Sequence, residues 1–426
     1  MGEEISMHSL LQGRSVGQTY RHRTPRSARA FAQAKIHQPG GNSRQAGYWA
    51  PYPLTLTHGQ GCFVWDIDGN RYIDLSNNYS ALVHGHAYPR IVEAVQKQVS
   101  LGTCWAAINI EQTRLAKQLI KRVSSVEQVR FTNSGTEAGI LALMIARVQT
   151  GREKVLMARG GYHGSLMEFE TGFSGRNGPL NYVAEYGNLE DFQQVFADHG
   201  DRIAAVFLEP VLGASGVVPG SRVFLNGVKN AAHMAGSLFV MDEVLTFRLG
   251  LGGYQQVVGV EPDLTMFGKL IGGGFPVGAV GGSRHMLNIL NPADLKAFHS
   301  GTFNANPVTM TAGAISVEEL TAERILEMEQ LAAMLSAGLK EAARQAGLPL
   351  RINRAGSLIN LFFTENTSYA HHAREDQEII EKFHLAALNH GLFIAPRGLI
   401  ALSTVLIDTI VNETIERALL AMKDIT

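Results

Sequence analysis

The stretch DLTMFGKLIGGGFPVGAVGG (263–282) places Lys269 between an apolar segment and a chain of glycines. A long cation where the chain reads as buried suggests either the attachment point of a covalent cofactor or part of a glycine-rich nucleotide loop. Asp242 follows the apolar run LFVM. A carboxylate there can serve as metal ligand, buried ion-pair partner, base, or the N-cap of a following helix. No His or Cys lies near it with metal-ligand spacing. Ser134, Gly135 and Thr136 sit in NSGTEA. The N–H groups and positive dipole end of a helix starting there suit an anion, and the two hydroxyls add donors. The simpler reading is an ordinary Ser/Thr N-cap. The spacing fits neither a Walker loop nor GxGxxG.

These residues need elements to bring them together. QVRFTNSGTEAGILALMIARVQTG reads as a strand over Val129–Thr132, a turn, and a helix with Ala138, Leu141, Ala142 and Ile145 at helical spacing and Gly151 at its end. EKVLMARGGYHG, RIAAVFLEPVLGASG, SLFVMDEVLT and DLTMF read as further buried strands, each ending at polar or glycine-rich residues. Continuous apolar strands separated by helices predict an α/β fold with a mostly parallel sheet covered on both faces. The polar motifs follow the C-terminal strand ends, the edge where such sheets bind ligands. That edge would gather Lys269, Asp242 and the Ser134–Thr136 turn. Together they are the parts pyridoxal 5′-phosphate requires: an amine for its aldehyde, a carboxylate to keep its ring nitrogen protonated, and a helix N-terminus for its phosphate.

From about Asn304 the pattern turns more helical. AERILEMEQLAAMLSAGLKEAARQAG predicts a long helix stopped at Gly347, and NETIERALLAMK closes the chain, with SLINLFF, LFIAP and LIALS as strands between. This part reads as a smaller α+β domain. The expected organisation is an N-terminal arm over 1–60, a large cofactor-binding domain over 61–310 and a small domain over 311–426.

The bulk properties narrow the class. A chain of 426 residues, 45% hydrophobic and 18% charged, fits a globular protein with more than one domain or a large one with an appendage. A net charge of −1 gives no global electrostatic case for nucleic acid or an anionic membrane. No apolar run reaches the roughly 18 residues of a membrane span. Cys62 and Cys104 alone make neither a disulfide framework nor a cysteine-built zinc site, and they suit a reducing cytoplasmic setting. After Glu3 and Glu4 no acidic residue occurs until Asp66, while Arg14, Arg21, Arg23, Arg26, Arg29, Lys35 and Arg44 lie between. This basic start is expected to be an arm packing on the rest of the protein rather than a transit peptide.

FTNSGTEA, GGYHG, LEPVLGASGVVPG, VMDEVLTFRLGLGG, PDLTMFGKLIGGGFPVGAVGG and HSGTFNANPVTMTAG occur in that order. In combination they resemble the class III aminotransferases of the fold-type I pyridoxal-phosphate enzymes, from about Pro39 to the C-terminus. The resemblance implies that Lys269 forms the Schiff base and Asp242 partners the pyridine nitrogen. It implies that Ser134, Gly135 and Thr136 hold the phosphate, and that Tyr162 and Val244 pack on the two ring faces. His163 and Glu209 fall in the same cofactor site. Thr302 would reach the phosphate of a neighbouring subunit, so a homodimer with shared active sites is expected.

Within that family the chain looks like the branch of glutamate-1-semialdehyde aminomutases and β-amino-acid aminotransferases. The aminomutases carry a pattern like NSPVRAF near the N-terminus and a phrase like FEAGF near the C-terminus. Here the corresponding stretches read NSRQAGYW, with Arg44, and IAPRGLIALS, with Arg397. Both departures resemble the β-phenylalanine-type aminotransferases. That likeness implies that Arg44 binds the β-amino acid's carboxylate and Arg397 the α-carboxylate of the 2-oxo acid, such as 2-oxoglutarate or pyruvate. Guanidinium forks pair bidentately with carboxylates, and an enzyme for two acids needs such groups. An arm contact for Arg44 and a structural ion pair for Arg397 are the simpler alternatives. Tyr48, Trp49, Tyr52, Tyr79 and Trp105 are candidates for an apolar pocket wall, although most aromatics are core. The competing function is an aminomutase moving the amine within one molecule. A nucleotide-binding module using the glycine run is the non-enzymatic alternative.

Overall fold

Apolar runs with both faces covered set the architecture of the computed structural model, which describes residues 15–166, 169, 178, 180–366 and 376–426. Glu3, Glu4 and Arg14 of the basic N-terminal stretch lie outside these. In chain order the strands are β1 (Leu56–Gln60), β2 (Phe63–Asp66), β3 (Arg71–Asp74), β4 (Gln128–Thr132), β5 (Lys154–Ala158), β6 (Asn181–Ala184), β7 (Ile203–Leu208), β8 (Val211–Leu212), β9 (Val218–Pro219), β10 (Leu238–Asp242), β11 (Leu264–Gly268), β12 (Gly278–Gly282), β13 (Arg351–Ala355), β14 (Leu358–Phe362), β15 (Leu392–Phe393) and β16 (Leu399–Ala401).

Seven strands form the main sheet in the order β4-β12-β11-β10-β7-β5-β6. Five of them, β6, β5, β7, β10 and β11, run parallel to one another. Every residue of β7 and β11 is buried. Successive residues feed opposite layers, as the two-residue period of a strand requires. Phe207 and Val240 join Ala138, Leu141 and Ile145 of helix Gly135–Thr150 on one face. Val206, Phe239 and Met241 join Phe192 and Phe224, from helices Leu189–His199 and Arg222–Met234, on the other.

One strand of this sheet is invisible to hydrophobic patterning. β12 is GAVGG, and it runs antiparallel between β11 and β4. Glycine has low strand propensity, so the segment reads as a loop. Steric demand explains it. A Cβ on Gly278 would stand 2.0 Å from the Ser134 carbonyl oxygen, and one on Gly281 would stand 2.8 Å from Val126. The glycines after Lys269 therefore serve close backbone packing.

A second core lies in the C-terminal part. Helices Ala322–Gln345, Gln377–Asn389 and Asp408–Lys423 bury Leu335, Leu339, Phe383, Ala418 and Met422 against Ile359 and Leu361 of the β13-β14-β16 sheet. The β1-β2-β3 meander joins this side through the parallel pairing of β3 with β15, and Cys62, Ile73 and Leu75 enter the same core. Backbone pairing thus runs across residue 60, linking β1 to β2. The basic N-terminal segment forms helices Val16–Arg23 and Pro25–His37. It packs as an arm: buried Tyr20 donates to the Tyr52 carbonyl at 2.8 Å, and Asn389 donates to the Val16 carbonyl at 3.0 Å. Among the described residues no helix is long and apolar enough to cross a membrane.

Candidate active site

The register of the central strands sets the first three residues. Leu208 lies beside Met241, so Glu209 and Asp242 leave adjacent parallel strands side by side, about 4.8 Å apart in the pairing direction. Asp242 pairs with Met266 of β11, and Lys269 follows at that strand's end. Both carboxylates are buried, 5% and 4% exposed, yet neither lacks partners. Glu209 accepts backbone N–H bonds from Tyr162 at 3.0 Å and Gly213 at 3.1 Å. Burial still pushes its carboxyl up, with Asp242 adding to the shift and His163 opposing it. Asp242 Oδ1 accepts from Val244 N at 3.0 Å, and its Oδ2 lies 3.0 Å from Nδ1 of buried His163. The N-cap alternative for Asp242 is not what forms, because the next helical turn starts only at Phe247.

Lys269 adopts φ +48°, a left-handed conformation unusual for a residue with a side chain. Burial lowers its ammonium from the ordinary lysine range; Asp242 and Glu209 pull the other way, while Arg397 and Arg44 reinforce the lowering. The lysine is thus held toward the neutral amine by desolvation, with two carboxylates close enough to act on it.

The Ser134–Thr136 turn stands on the far side of Val244. A Cβ on Gly268 would come within 3.1 Å of the Val244 side chain and one on Gly135 within 3.4 Å, so Val244 touches both the lysine's strand end and the helix start. Ser134 caps that helix, accepting from Glu137 N at 3.1 Å, and Thr136 Oγ1 accepts from Ser165 N at 3.2 Å. The Ser134 hydroxyl therefore fills the ordinary capping role, and the helix dipole still points at the site. Asn133 Nδ2 donates to Asn304 Oδ1 at 2.7 Å, tying this turn to the HSGTFNANP loop. Thr302 in that loop is exposed, and its carbonyl accepts from the Cys104 thiol at 3.4 Å. Tyr162 is about half exposed beside Glu209. An amine, a buried carboxylate and a helix N-terminus arranged around one valine fit pyridoxal phosphate.

The two arginines, 353 residues apart in the chain, meet on one ring. The guanidinium carbon of Arg44 lies 5.4 Å from the Tyr79 ring centroid and that of Arg397 lies 5.2 Å from it. Both groups lower the Tyr79 phenol against the larger upward push of burial. Arg44 also donates to Asn78 Oδ1 at 2.6 Å. Of the other candidate aromatics, Trp49 and Tyr52 pack inside the arm, Trp49 edge-on to His384 at 4.8 Å and Tyr52 against Tyr20 at 5.3 Å. Tyr48 and Trp105 are about half exposed.

Sequence reasoning did not find the turn that presents Tyr79. Asn77, Asn78, Tyr79 and Ser80 all have positive φ, between 47° and 72°. Each such residue costs about 1–2 kcal/mol unless it is Gly, with Asn the most tolerant. Surrounding bonds hold the turn. Asp74 Oδ1 accepts from the N–H groups of Ser76 and Asn77 at 2.8 and 2.9 Å, and buried Asn77 donates to the Ala401 carbonyl at 2.7 Å. The Asn-Asn pair is the one sequence signal for it.

Comparisons with known proteins agree with this fold. Glutamate-1-semialdehyde 2,1-aminomutase of Aeropyrum pernix is 38% identical over 89% of this chain and 93% of its own. An omega-transaminase from Sphaerobacter thermophilus superposes with a TM-score of 0.90 at 35% identity, covering 94% of this chain and 97% of that one. A beta-phenylalanine aminotransferase from Variovorax paradoxus gives a TM-score of 0.88 at 34% identity over 96% of each chain. The expected fold class is therefore observed. Residues 46–426 match the family Aminotransferase class-III, and with that span, this fold and a lysine–carboxylate–helix arrangement around Val244, the chain belongs to the class III aminotransferases and takes pyridoxal 5′-phosphate as its cofactor.

Proposed function

We propose that the protein transfers an amino group from a β-amino acid to a 2-oxo acid such as 2-oxoglutarate or pyruvate. One observation carries this reading: Arg44 and Arg397, from opposite ends of the chain, converge on the Tyr79 ring. Two guanidinium groups gathered on one ring suit an enzyme that receives two carboxylic acids in turn. The cofactor, when bound, supplies the aldehyde that captures the amine and the ring that takes up the negative charge of the deprotonated substrate carbon. Lys269, held toward the free amine, would take the proton from that carbon and deliver it to the cofactor's former aldehyde carbon. Asp242 would hold the ring nitrogen's proton, with His163 orienting Asp242 and Glu209 beside it. Ser134, Gly135 and Thr136 would receive the phosphate, and Tyr162 and Val244 would cover the ring.

On this reading Thr302 completes the site of a second copy in a homodimer. Its surroundings support that role. Trp105, Ile108 and Phe303 are exposed, and bonds from Cys104 to Thr302 and from Asn109 to Ala305 hold the 104–109 and 302–305 stretches together. Apolar surface gathered in this way marks an interface. A cytoplasmic setting accords with the free thiols of Cys62 and Cys104.

The likeness to the Aeropyrum aminomutase favours a second reading, intramolecular transfer within an amino aldehyde. A panel of α-, β- and ω-amino donors against pyruvate and 2-oxoglutarate separates the two. Transfer from β-amino acids that weakens at least about tenfold in Arg44→Leu supports the first. Turnover of glutamate-1-semialdehyde with no added acceptor, and none of β-amino acids, would replace it with the second.

A further inference from the structure

We infer that Tyr79 is a positioning residue for the substrate arginines: its ring seats both guanidinium groups, and its hydroxyl ties down the arm that carries Arg44. This rests on the two-arginine reading above. The Tyr79 hydroxyl donates to the Ala46 carbonyl, two residues beyond Arg44. The Arg44 side chain bonds Asn78, the residue before Tyr79. The arm segment 44–46 is therefore attached to the 77–80 turn at two points, while Arg397 arrives from the C-terminal part onto the same ring. Because both guanidinium carbons lie within 5.4 Å of one centroid, they cannot be more than about 10.6 Å apart, the two distances laid end to end.

The turn is built to be rigid. Buried Arg248 donates to the Leu402 carbonyl and, at 3.5 Å, to the Ser80 carbonyl, so the end of the turn is clamped to the strand-end segment following β16. Asn77 bonds the Ala401 carbonyl from the start of the turn. Four consecutive left-handed residues held from both sides have little freedom to yield. A cation placed on the ring is then located by the fold rather than by its own flexible stem, which reduces the ordering that carboxylate binding must impose. The ring acts on both arginines; the hydroxyl acts only on the one carried by the arm.

That asymmetry makes the test. Tyr79→Phe keeps the ring and loses the tie, whereas Tyr79→Leu loses both. The two half-reactions are followed separately in the full-length holoenzyme by the cofactor's absorbance change, with a β-amino acid as donor and 2-oxoglutarate as acceptor. Amide hydrogen exchange over residues 42–48 and 395–399 is measured alongside. Tyr79→Phe is expected to raise the donor KM about tenfold, leave the acceptor KM within about twofold, and speed exchange in 42–48 only. Tyr79→Leu is expected to raise both KM values about tenfold or more, with the limiting rates nearly kept. Unchanged exchange over 42–48 in Tyr79→Phe overturns the tie. Equal rises of the donor and acceptor KM in Tyr79→Phe overturn the division between hydroxyl and ring, and no rise in Tyr79→Leu overturns the seating role. If Arg44→Leu and Arg397→Leu leave both half-reactions intact, the two-arginine reading itself falls, and exchange over 42–48 in Tyr79→Phe alone decides whether Tyr79 holds the arm.

Discussion

His163 Nδ1 lies 3.0 Å from Asp242 Oδ2, and the pair is sealed from solvent. A carboxylate only accepts, so Nδ1 carries the proton, and Nε2 faces the interior with no hydrogen-bond partner among the described residues. With the Val244 N–H on its other oxygen, Asp242 is fixed in orientation by two donors from different elements. His163→Phe removes one. The expected loss is about 1.5–3 kcal/mol for a bond to a charged group, or roughly ten- to a hundredfold in the limiting half-reaction rate. His163→Asn, which returns an N–H donor, should recover part of it. Single-turnover absorbance measures both, and an unchanged rate in His163→Phe would remove the orienting role.

Lys269→Ala should abolish the covalent link to the cofactor and slow proton transfer by about a hundredfold or more. Borohydride reduction followed by mass measurement checks the first effect. A reduced adduct that persists in the variant would place the attachment elsewhere.

Gly278→Ala tests the packing of β12. The new methyl group would stand 2.0 Å from the Ser134 carbonyl oxygen and 2.4 Å from Thr132 Oγ1. Overpacking of this kind costs about 1–3 kcal/mol. Because the displaced atom belongs to the turn proposed to receive the phosphate, cofactor affinity should fall together with melting temperature. A variant that melts lower but binds the cofactor with unchanged affinity would show that the turn moves without the site.

Glu243, next to Asp242, is fully buried and accepts from the Thr246 hydroxyl and the N–H groups of Tyr254 and Gln255. Burial pushes its carboxyl up to about 7 from an ordinary 4.5. The folded state thus holds this proton more tightly than the unfolded chain. Its contribution to stability is complete below about pH 4.5 and is lost as pH rises through about 7, by up to about 3 kcal/mol. Glu243→Gln should lack that decline. Denaturant titrations from pH 4.5 to 8 compare the slopes, and identical pH profiles for the two proteins would reject the assignment.

The chemistry-bearing strand ends were readable because each is a local pattern. An apolar run makes a buried strand, and the first polar residue after it must lie at the sheet edge, as Asp242 and Glu209 do. The helix after Ser134 and its end at Gly151, with φ +68°, follow from spacing and a left-handed glycine cap in the same way. β12 was not readable, since its sequence is set by the clearance between β11 and β4 rather than by strand propensity.

The sequence by itself determined five of the main sheet's seven strands (β4, β5, β7, β10 and β11), the lysine, the carboxylates and the helix that offers its N-terminus, because these depend on residues close together in the chain. The tertiary structure alone decided what surrounds the far end of the site. Tyr79 is presented by a turn whose conformation is unfavourable in isolation and is held by Asp74, Ala401 and Arg248. Two of those three are more than a hundred residues away, as is Arg397. Such a turn exists only once the folded chain supplies its bonds, so the Asn77–Asn78 pair alone does not specify it, and the meeting of Arg44 with Arg397 becomes visible only in three dimensions.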